Sequence, residues 1–487
     1  MTGLLQDLLR VTDWAILAYF VALNTSYLAL ILLASLEFAR NLRRLSFTGA
    51  DDMFRSPLTL PVSVIVPAFN EGAGIVPAVQ AMTALRYPRY EVVVVDDGSS
   101  DDTFARLREQ FDLVEVPRVM PAEVPYRSQV LSVHVARAHP ETLTVVRKTN
   151  GGKADALNVG INLARHPLIC MVDADSVLDP GALLAVAKPF GDDPLRVAAC
   201  GGAVRIANGC KVVGGRVVDV RMPRRWLVRV QVVEYLRAFL MGRTGWSRLG
   251  GLVVISGAFG IFRRDLVVTI GGMAYDTIGE DTELVVRLHH YLRERGDDYR
   301  VVFAAEPVSW SEAPARLAVL GRQRRRWHRG IAETLSKHRQ MIGNPRYGRI
   351  GLIALPHYVL FELLAPFVEI AALVLLPLGL WAGAVDLTFA WRFAIVAYVY
   401  GLFVSLLSLF IEEVSFHRYR RWSDLLRGVL AAIIENFGYR QLGAIWQVSG
   451  AIQAWRGRQA VWGTMHREGF DPVPHTDSHV AAAPAHH

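Results

Sequence analysis

The chain has 487 residues, of which 52% are hydrophobic and 20% charged, and its formal net charge is +8 at pH 7. This length exceeds one ordinary domain, and the composition is too apolar for a typical soluble protein yet too charged for a chain built only of membrane helices. The basic residues gather beside apolar segments, as in 40–44 and 417–421, which favours anionic lipid headgroups over nucleic acid as the partner, and the three cysteines fit a reducing cytosol and offer no structural zinc site.

The first predicted element is a membrane anchor within residues 1–45. Residues Trp14–Leu36 carry no charge, and roughly 20 apolar residues suffice to cross the hydrocarbon core. A cleaved signal peptide is the alternative, but the apolar run is too long for one. Arg40, Arg43 and Arg44 follow the run, so the positive-inside rule predicts that Met1 lies outside and the following domain in the cytosol.

Residues 46–345 alternate between apolar β-branched runs and helical segments. Strands are predicted at 62–66, 91–95, 142–146 and 168–172, with helices at 71–86 and 154–165. Such alternation predicts an α/β domain with a parallel sheet covered on both sides, and its ligand outside the carboxyl ends of the strands.

Four polar clusters stand just after these strands: Pro67–Glu71, Asp96–Ser99, Lys148–Lys153 and Asp173–Asp175. Each alone is typical of an ordinary turn. Four of them at successive strand ends predict one shared site.

Asp173 and Asp175 are the candidate metal ligands. Alternate residues project to the same side of a strand, so both carboxylates can face one point. Hard oxygen ligands suit Mg²⁺ or Mn²⁺ bridging to phosphates, and a diphosphate leaving group needs its charge neutralised. Two solvated carboxylates at a turn are the alternative.

Three further segments are candidates for the site. The stretch Ser256–Gly260 either brings backbone close to a ligand or relieves packing, and Glu280 and Asp281 open a helix, where a carboxylate serves catalysis or only caps the helix. On a helix over 315–338, Gln323, Arg326 and Trp327 share one face, while Arg324 and Arg325 are expected to point elsewhere, towards lipid headgroups. A basic amphipathic helix at a membrane surface is the alternative for this segment.

Residues 346–454 are predicted to form interfacial and transmembrane helices. We expect an interfacial helix from 350, a span near Pro366–Gly383 and a return span over Thr388–Ile411. Asp424–Ala454 is interrupted by polar residues and is predicted to lie in the interface or tilted, with a fourth crossing as the alternative.

The order and spacing of these motifs resemble membrane-bound processive family 2 glycosyltransferases, which make cellulose, chitin, hyaluronan or poly-N-acetylglucosamine. The resemblance covers roughly 62–330 and rests on these motifs: Val66–Glu71, Asp96–Ser99, Asn150–Asn158, Asp173–Asp175, Gly279–Asp281 and the Gln-x-x-Arg-Trp element Gln323–Trp327. It implies a GT-A, Rossmann-like nucleotide-diphospho-sugar transferase fold.

The same resemblance implies a role for each matching residue. The donor and its UDP would be bound by Pro67, Asn70, Glu71, Asp96, Asp97, Lys153 and Asp173, with Asp173 and Asp175 also holding the metal. Asp281 would be the general base, and the acceptor and pyrophosphate would be contacted by Glu280, Gln323, Arg326 and Trp327. In residues 455–470, Trp462, Gly463 and Thr464 resemble a gating loop, although Met465 stands where some relatives carry a basic residue. Residues 471–487 are predicted to be a disordered tail.

The function that the resemblance implies is inverting, processive polymerisation of a UDP-sugar, with UDP-N-acetylhexosamine, in particular UDP-N-acetylglucosamine, as the favoured donor. The growing polysaccharide and membrane lipids are the expected partners, and an export or regulatory protein is left open. Two alternatives also stay open: transfer of one sugar to a polyprenyl phosphate or another lipid, and a non-catalytic membrane scaffold of an export complex.

Overall fold

The computed structural model describes residues 2–44, 54, 56–213, 215–416, 419 and 421–457. The predicted gating motif Trp462–Thr464, the tail at 471–487 and most of the basic cluster at 417–421 lie outside the described residues. The boundaries that we assign to the domains remain predictions.

The core of the molecule is a ten-stranded mixed sheet in the order β3-β4-β5-β2-β1-β6-β11-β8-β12-β7, with a separate β9–β10 hairpin. The strands are β1 (Val62–Ala68), β2 (Tyr90–Asp96), β3 (Leu113–Glu115), β4 (Val130–Ala136), β5 (Leu143–Lys148), β6 (Leu168–Val172), β7 (Val177–Leu178), β8 (Val197–Ile206), β9 (Lys211–Val213), β10 (Arg216–Asp219), β11 (Phe259–Arg263) and β12 (Arg300–Ser311).

The four strands predicted from the sequence form the parallel centre of the sheet, in the order β5-β2-β1-β6. The predicted parallel sheet is thus present, and the strands added around it make the whole sheet mixed, because β11 runs antiparallel between β6 and β8, and β4 runs antiparallel beside β5. Register places Ala68 beside Asp96 and Asp96 beside Arg147. The polar clusters that follow these strands therefore start at one edge.

Strand β1 is apolar on both faces because helices cover both sides of the sheet. Val64 packs in one core cluster with Ile75, whereas Ile65 packs in another with Leu157 and Ile161. An uninterrupted apolar run is typical of a central parallel strand buried on both sides. For this reason the strand could be recognised from the sequence.

The helices of this region flank the sheet and carry part of the site. They are α2 (Ile75–Thr83), α3 (Thr103–Phe111), α4 (Lys153–Leu163), α5 (Ala182–Asp192), α6 (Trp226–Glu234), α7 (Arg243–Leu249), α8 (Arg264–Thr269), α9 (Glu280–Arg295) and α10 (Leu317–Lys337), and they follow the amino-terminal helix α1 (Thr2–Arg44). Residues Tyr235–Gly242, between α6 and α7, form a π-helical segment.

Three helical runs among the described residues are long and apolar enough to cross a membrane: Gly3–Arg40, Ile350–Trp381 and Leu387–Phe416. The second run is longer than the predicted Pro366–Gly383 span, since π-helical turns from Ile350 to Leu363 precede α11 (Ala365–Trp381). The other helices are α12 (Leu387–Ala394), α13 (Gly401–Phe416), α14 (Trp422–Ile434) and α15 (Arg440–Trp455).

Helix α1 packs directly on the helix α7 that follows the π-helical segment. A Cβ atom at Gly245 would lie 2.5 Å from the carbonyl oxygen of Leu30, so only glycine allows this approach. On the same helix, Trp246 makes edge contact with His357 of the second apolar run at 4.9 Å between ring centres. The apolar helices are therefore packed against the domain that carries the site.

Candidate active site

The loops after β1 and β2 are joined to each other by hydrogen bonds. Asn70 has a left-handed φ of 56°, its N–H donates to the Ser99 hydroxyl at 3.0 Å, and its side-chain oxygen accepts from the Ser100 N–H at 2.8 Å. The Ser99 N–H in turn donates to Asp96 at 3.1 Å, and the N–H of Glu71 donates to Thr103 at 2.9 Å. The structure therefore brings together Pro67–Glu71 and Asp96–Ser99, as expected for clusters that follow parallel strands.

Asp97 ties the second of these loops to the turn after β5. Its carboxylate accepts from the N–H groups of Gly151 and Gly152 at 2.9 Å each and pairs with Lys148, which is 1% exposed. Lys148 also lies 3.1 Å from the fully buried Asp155. A buried charge network of this kind holds the turn rigid, and removing one member would leave the others uncompensated. Asp97 is thus largely committed to the framework around the predicted nucleotide site.

Lys153, at the start of α4, bridges two of the predicted groups. Its ammonium lies 2.5 Å from Asp173 and 3.8 Å from Glu280. Burial opposes the charged form of Lys153, but the Asp173 and Glu280 carboxylates outweigh burial and raise the pKa of the lysine above its ordinary value. The lysine is therefore a cation fixed beside the carboxyl end of β6.

Glu280 is 5% exposed at the first position of α9, and its protonation is unusual for a carboxyl. Burial raises the pKa of Glu280 to about 7, Lys153 opposes the rise, and Asp281 adds to it. Because the folded protein then holds this proton more tightly than the unfolded chain does, the free energy of unfolding falls as the pH rises from 4.5 to about 7.

We expect the Glu280→Gln variant to lose this pH dependence. Its stability relative to the wild type should increase by about 1–3 kcal/mol between pH 5 and pH 7.5, because glutamine has no proton to release. Melting temperatures of the purified protein at the two pH values measure the effect. A difference in melting temperature between the two proteins that is the same at both pH values would contradict this prediction.

Asp281 is held in place by two backbone donors. The N–H of Gly257 donates to one carboxylate oxygen at 3.1 Å, and the N–H of Thr282 donates to the other at 2.7 Å. A Cβ atom at Gly257 would lie 3.1 Å from the Lys153 ammonium nitrogen. Of the two interpretations of Ser256–Gly260, close approach of backbone to the site is therefore the one that the geometry favours.

Lys153, Gly257, Glu280 and Asp281 share a small cavity beside the sheet edge. It is lined by Lys153, Leu157, Met171, Ile255, Ser256, Gly257, Phe262, Met273, Glu280, Asp281 and Leu284. A lysine and two carboxylates meet there with apolar side chains that exclude water. This combination suits a step in which a proton moves beside a developing negative charge.

Asp173 and Asp175 supply a donor set that fits a magnesium or manganese ion. The Asp173 side chain is 30% exposed and therefore reachable, and Asp175 accepts a long hydrogen bond from Ser311 at 3.4 Å. In the part of the chain that the structure describes, no three His, Cys, Asp or Glu side chains are gathered as a metal cage. Mg²⁺ commonly binds through one or two carboxylates with water and substrate phosphates completing the shell, so two aspartates suffice.

Helix α10 abuts the loop that leads to Asp281. Gly330 and Gly279 are so close that a Cβ atom at Gly330 would lie 2.8 Å from the Gly279 Cα atom. Glu333, on the same helix, accepts from the Ile278 N–H at 2.9 Å. The helix that carries Gln323, Arg326 and Trp327 is thereby fixed relative to the start of α9.

Trp327 lies in a cluster of aromatic rings that the sequence did not predict. Its ring centre is 5.8 Å from that of Phe239 and 6.4 Å from that of Tyr235, both in the π-helical segment. Burial raises the pKa of Tyr235 to about 12, and the Asp175 charge is close enough to contribute to the rise. Tyr235 and Phe239 thus form one side of the surroundings of the Trp327 ring.

The expectation that Arg324 points towards lipid headgroups is wrong. Arg324 is 5% exposed, and its guanidinium donates to Glu234 at 2.7 Å. Its guanidinium lies over the ring of Trp327, three positions later on the helix, and Glu234 provides a partner that the local pattern could not reveal. Gln323 is also buried, at 8% exposure.

Comparison with known proteins identifies the class of this site. The family model "Glycosyl transferase family 2" matches residues 63–121, and "Glycosyltransferase like family 2" matches residues 124–330, so the two matches run almost without a gap across the sheet and its site. The chain belongs to glycosyltransferase family 2. The family and the GT-A fold predicted from the motifs are confirmed.

Two curated relatives of this family 2 enzyme are poly-beta-1,6-N-acetyl-D-glucosamine synthases. The protein of Staphylococcus epidermidis is 26% identical and that of Staphylococcus aureus 27% identical, each over 274 residues, which are 56% of this chain and 55% of the relative. The chain thus spans about half the length of the curated relatives it matches. Among solved structures, the mannosyltransferase PcManGT of Pyrobaculum calidifontis, in complex with GDP-Man and Mn²⁺, aligns with a TM-score of 0.49 and 21% identity over 87% of this chain and 99% of that chain.

Several residues that shape the site were given no role from the sequence, although one of them, Asn158, ends the Asn150–Asn158 motif. Asn158 holds the 272–275 loop by donating to the Met273 carbonyl and accepting from the Met273 N–H at 2.7 Å. Glu234, Tyr235 and Phe239 lie on a segment with no polar motif at a strand end. The available signal was a polar asparagine or glutamate within an otherwise apolar helical stretch.

Proposed function

We propose that the protein is a processive, inverting glycosyltransferase that polymerises a β-linked polysaccharide from a UDP-sugar, with UDP-N-acetylglucosamine as the favoured donor. The observation that carries the proposal is the meeting of the Lys153–Asp173 pair, Asp281 and the helix of Trp327 at one end of the sheet. The names of the two staphylococcal relatives support N-acetylglucosamine as the sugar.

In this reaction Asp281 acts as the general base. It takes the proton from an acceptor hydroxyl, whose oxygen forms the new bond to C1 of the α-linked donor sugar. The bond between C1 and the diphosphate oxygen breaks, and its electron pair leaves with UDP. Attack opposite the leaving group gives a β-linkage. The N–H groups of Gly257 and Thr282 orient the carboxylate before the acceptor arrives.

The leaving diphosphate carries negative charge that the site must stabilise. Lys153 offers a fixed cation beside Asp173, and Asp173 with Asp175 would hold Mg²⁺ or Mn²⁺. When bound, the ion supplies charge neutralisation for the diphosphate. The loops of Asn70, Glu71, Asp96 and Asp97 would enclose the uridine side of the donor.

Trp327 and the apolar helices support the processive part of the proposal. An indole ring gives an apolar plate for the C–H face of an acceptor sugar, and the nearby helices can take the growing chain into or across the membrane. We place the catalytic domain in the cytosol and Met1 outside, as the positive-inside rule indicates.

The test is to incubate the purified full-length protein in lipid nanodiscs with a panel of UDP-sugars and Mn²⁺ or Mg²⁺. UDP-N-acetylglucosamine should release UDP fastest, and mass spectrometry should show ladders of many added sugars. Products no longer than one added sugar would defeat processivity. UDP release from none of the sugars would remove the proposed activity.

A further inference from the structure

Arg324 has a buried environment that the proposed reaction does not require. It lies three residues before Trp327 on α10, and its guanidinium carbon is 4.6 Å from the centre of the Trp327 ring. Its Nη2 atom donates to Glu234 at 2.7 Å. A guanidinium that is held by a carboxylate and stacked on a ring is fixed in both position and plane. It therefore limits where the indole can lie.

Glu234 connects Arg324 to the other rings of the aromatic cluster. It is the last residue of α6, and the π-helical segment that begins with the next residue carries Tyr235 and Phe239. The ion pair therefore joins the two segments of chain that supply the rings around Trp327. The pair therefore adds a direct link between α10 and the segment of Tyr235 and Phe239 to the contacts between the rings themselves.

Tyr439 extends the connection to the carboxyl-terminal helix α15. Its hydroxyl donates to the same Glu234 oxygen at 3.0 Å, and it follows Gly438, whose φ of 92° marks a kink. Helix α15 packs closely on α10, since a Cβ atom at Gly321 would lie 2.8 Å from the Trp446 ring. Glu234 thus accepts from two elements, and each donor is anchored in a packed helix.

We propose that Arg324 is a positioning residue: with Glu234 as its anchor and Tyr439 supporting that anchor, it holds the Trp327 ring in the orientation that receives the acceptor. This inference rests on the proposed function, in which Trp327 contacts the acceptor sugar. Arg324 acts through the indole and not on the donor.

The first test compares Arg324→Met with Arg322→Met, an exposed arginine two residues earlier on the same helix. With UDP-N-acetylglucosamine and a β-1,6-linked N-acetylglucosamine pentasaccharide, Arg324→Met should raise the acceptor KM about tenfold and shorten the products, while the donor KM changes less than about twofold. Arg322→Met should behave as the wild type. An unchanged acceptor KM, or equal rises in both KM values, would overturn the proposal.

A double-mutant cycle separates positioning from general support of the fold. If Arg324 acts through the indole, Arg324→Met should have no further effect on the acceptor KM in a Trp327→Leu background. Full additivity of the two changes would overturn the proposal. Arg324→Lys keeps the charge but not the planar stack, so it should recover only part of the lost acceptor affinity.

A measurement without turnover keeps the inference apart from the proposed function. In protein labelled with 5-fluorotryptophan, the ¹⁹F resonance assigned to Trp327 by its loss in Trp327→Phe should shift in Arg324→Met but not in Arg322→Met. If Arg324→Met does not fold, Tyr439→Phe should give a smaller shift in the same direction. An unmoved resonance overturns the positioning role. A wild type that makes no polymer, with the resonance still moved, overturns only the proposed function.

Discussion

Replacing Asp281 with asparagine should lower the rate of sugar transfer by about 10³-fold while leaving UDP binding nearly unchanged. Asparagine has almost the same shape, and its one amide oxygen can keep the bond from the Gly257 N–H while the bond from the adjacent Thr282 N–H is lost, so the start of α9 should keep most of its geometry. It cannot take a proton, however, and the acceptor hydroxyl would have to attack without a base. The rate of UDP release in the presence of acceptor measures the loss.

The matched control is Asp276→Asn, which changes an exposed aspartate on the loop before α9. Asp276 pairs only with Lys337 at the surface in the contacts we describe, at 2.8 Å, so its replacement should leave transfer within about twofold of the wild type. If Asp281→Asn keeps substantial transferase activity, another group must be the base. The buried Glu280, at the neighbouring position, would then be the first candidate.

Replacing Asp175 with alanine should reduce metal-dependent turnover by about a hundredfold or more, because the ion loses a carboxylate ligand and the diphosphate loses its counter-charge. Asp173 is a less suitable target, since its replacement would also break the pair with Lys153. The 3.4 Å hydrogen bond that Asp175 accepts from Ser311 is at the weak limit, so the loss of that one bond should cost little stability.

Binding of UDP measured by calorimetry, with and without Mn²⁺, gives a readout that does not depend on turnover. In the wild type Mn²⁺ should strengthen UDP binding, and in Asp175→Ala this gain should disappear. Asp192→Ala, an exposed aspartate at the end of α5, serves as the control and should keep the gain. Equal enhancement by Mn²⁺ in all three proteins would remove Asp175 from the metal site.

The parallel centre of the sheet was predictable because local chemistry determines it. The apolar runs of β1, β2, β5 and β6 are buried on both faces, and polar residues stand at or just after the end of each strand. Strand β11 was not predictable as an antiparallel member, since its direction depends on the path of the chain from 249 to 258 and not on its own residues. The same holds for β4, whose alternation is interrupted by a register shift.

Among the candidate site residues, those at strand ends follow from a local pattern, whereas the surroundings of those on helices do not. Asp173 and Asp175 stand out because the end of a buried apolar strand rarely needs charged groups for packing alone. Arg324 looked like a solvated arginine because its partner, Glu234, lies 90 positions earlier in the chain. No local pattern carries the information that these two side chains meet.

The sequence by itself determined a family 2 glycosyltransferase with apolar helices long enough to cross a membrane and acidic residues at one edge of its sheet, because strand periodicity, turn chemistry and apolar length are local properties of the chain. Only the tertiary structure decided which groups act together: that Lys153 lies against Asp173 and Glu280, that Gly257 holds Asp281, and that the Trp327 ring lies among Tyr235, Phe239 and Arg324. These contacts join segments far apart in the chain, and packing of helices on the sheet sets their distances.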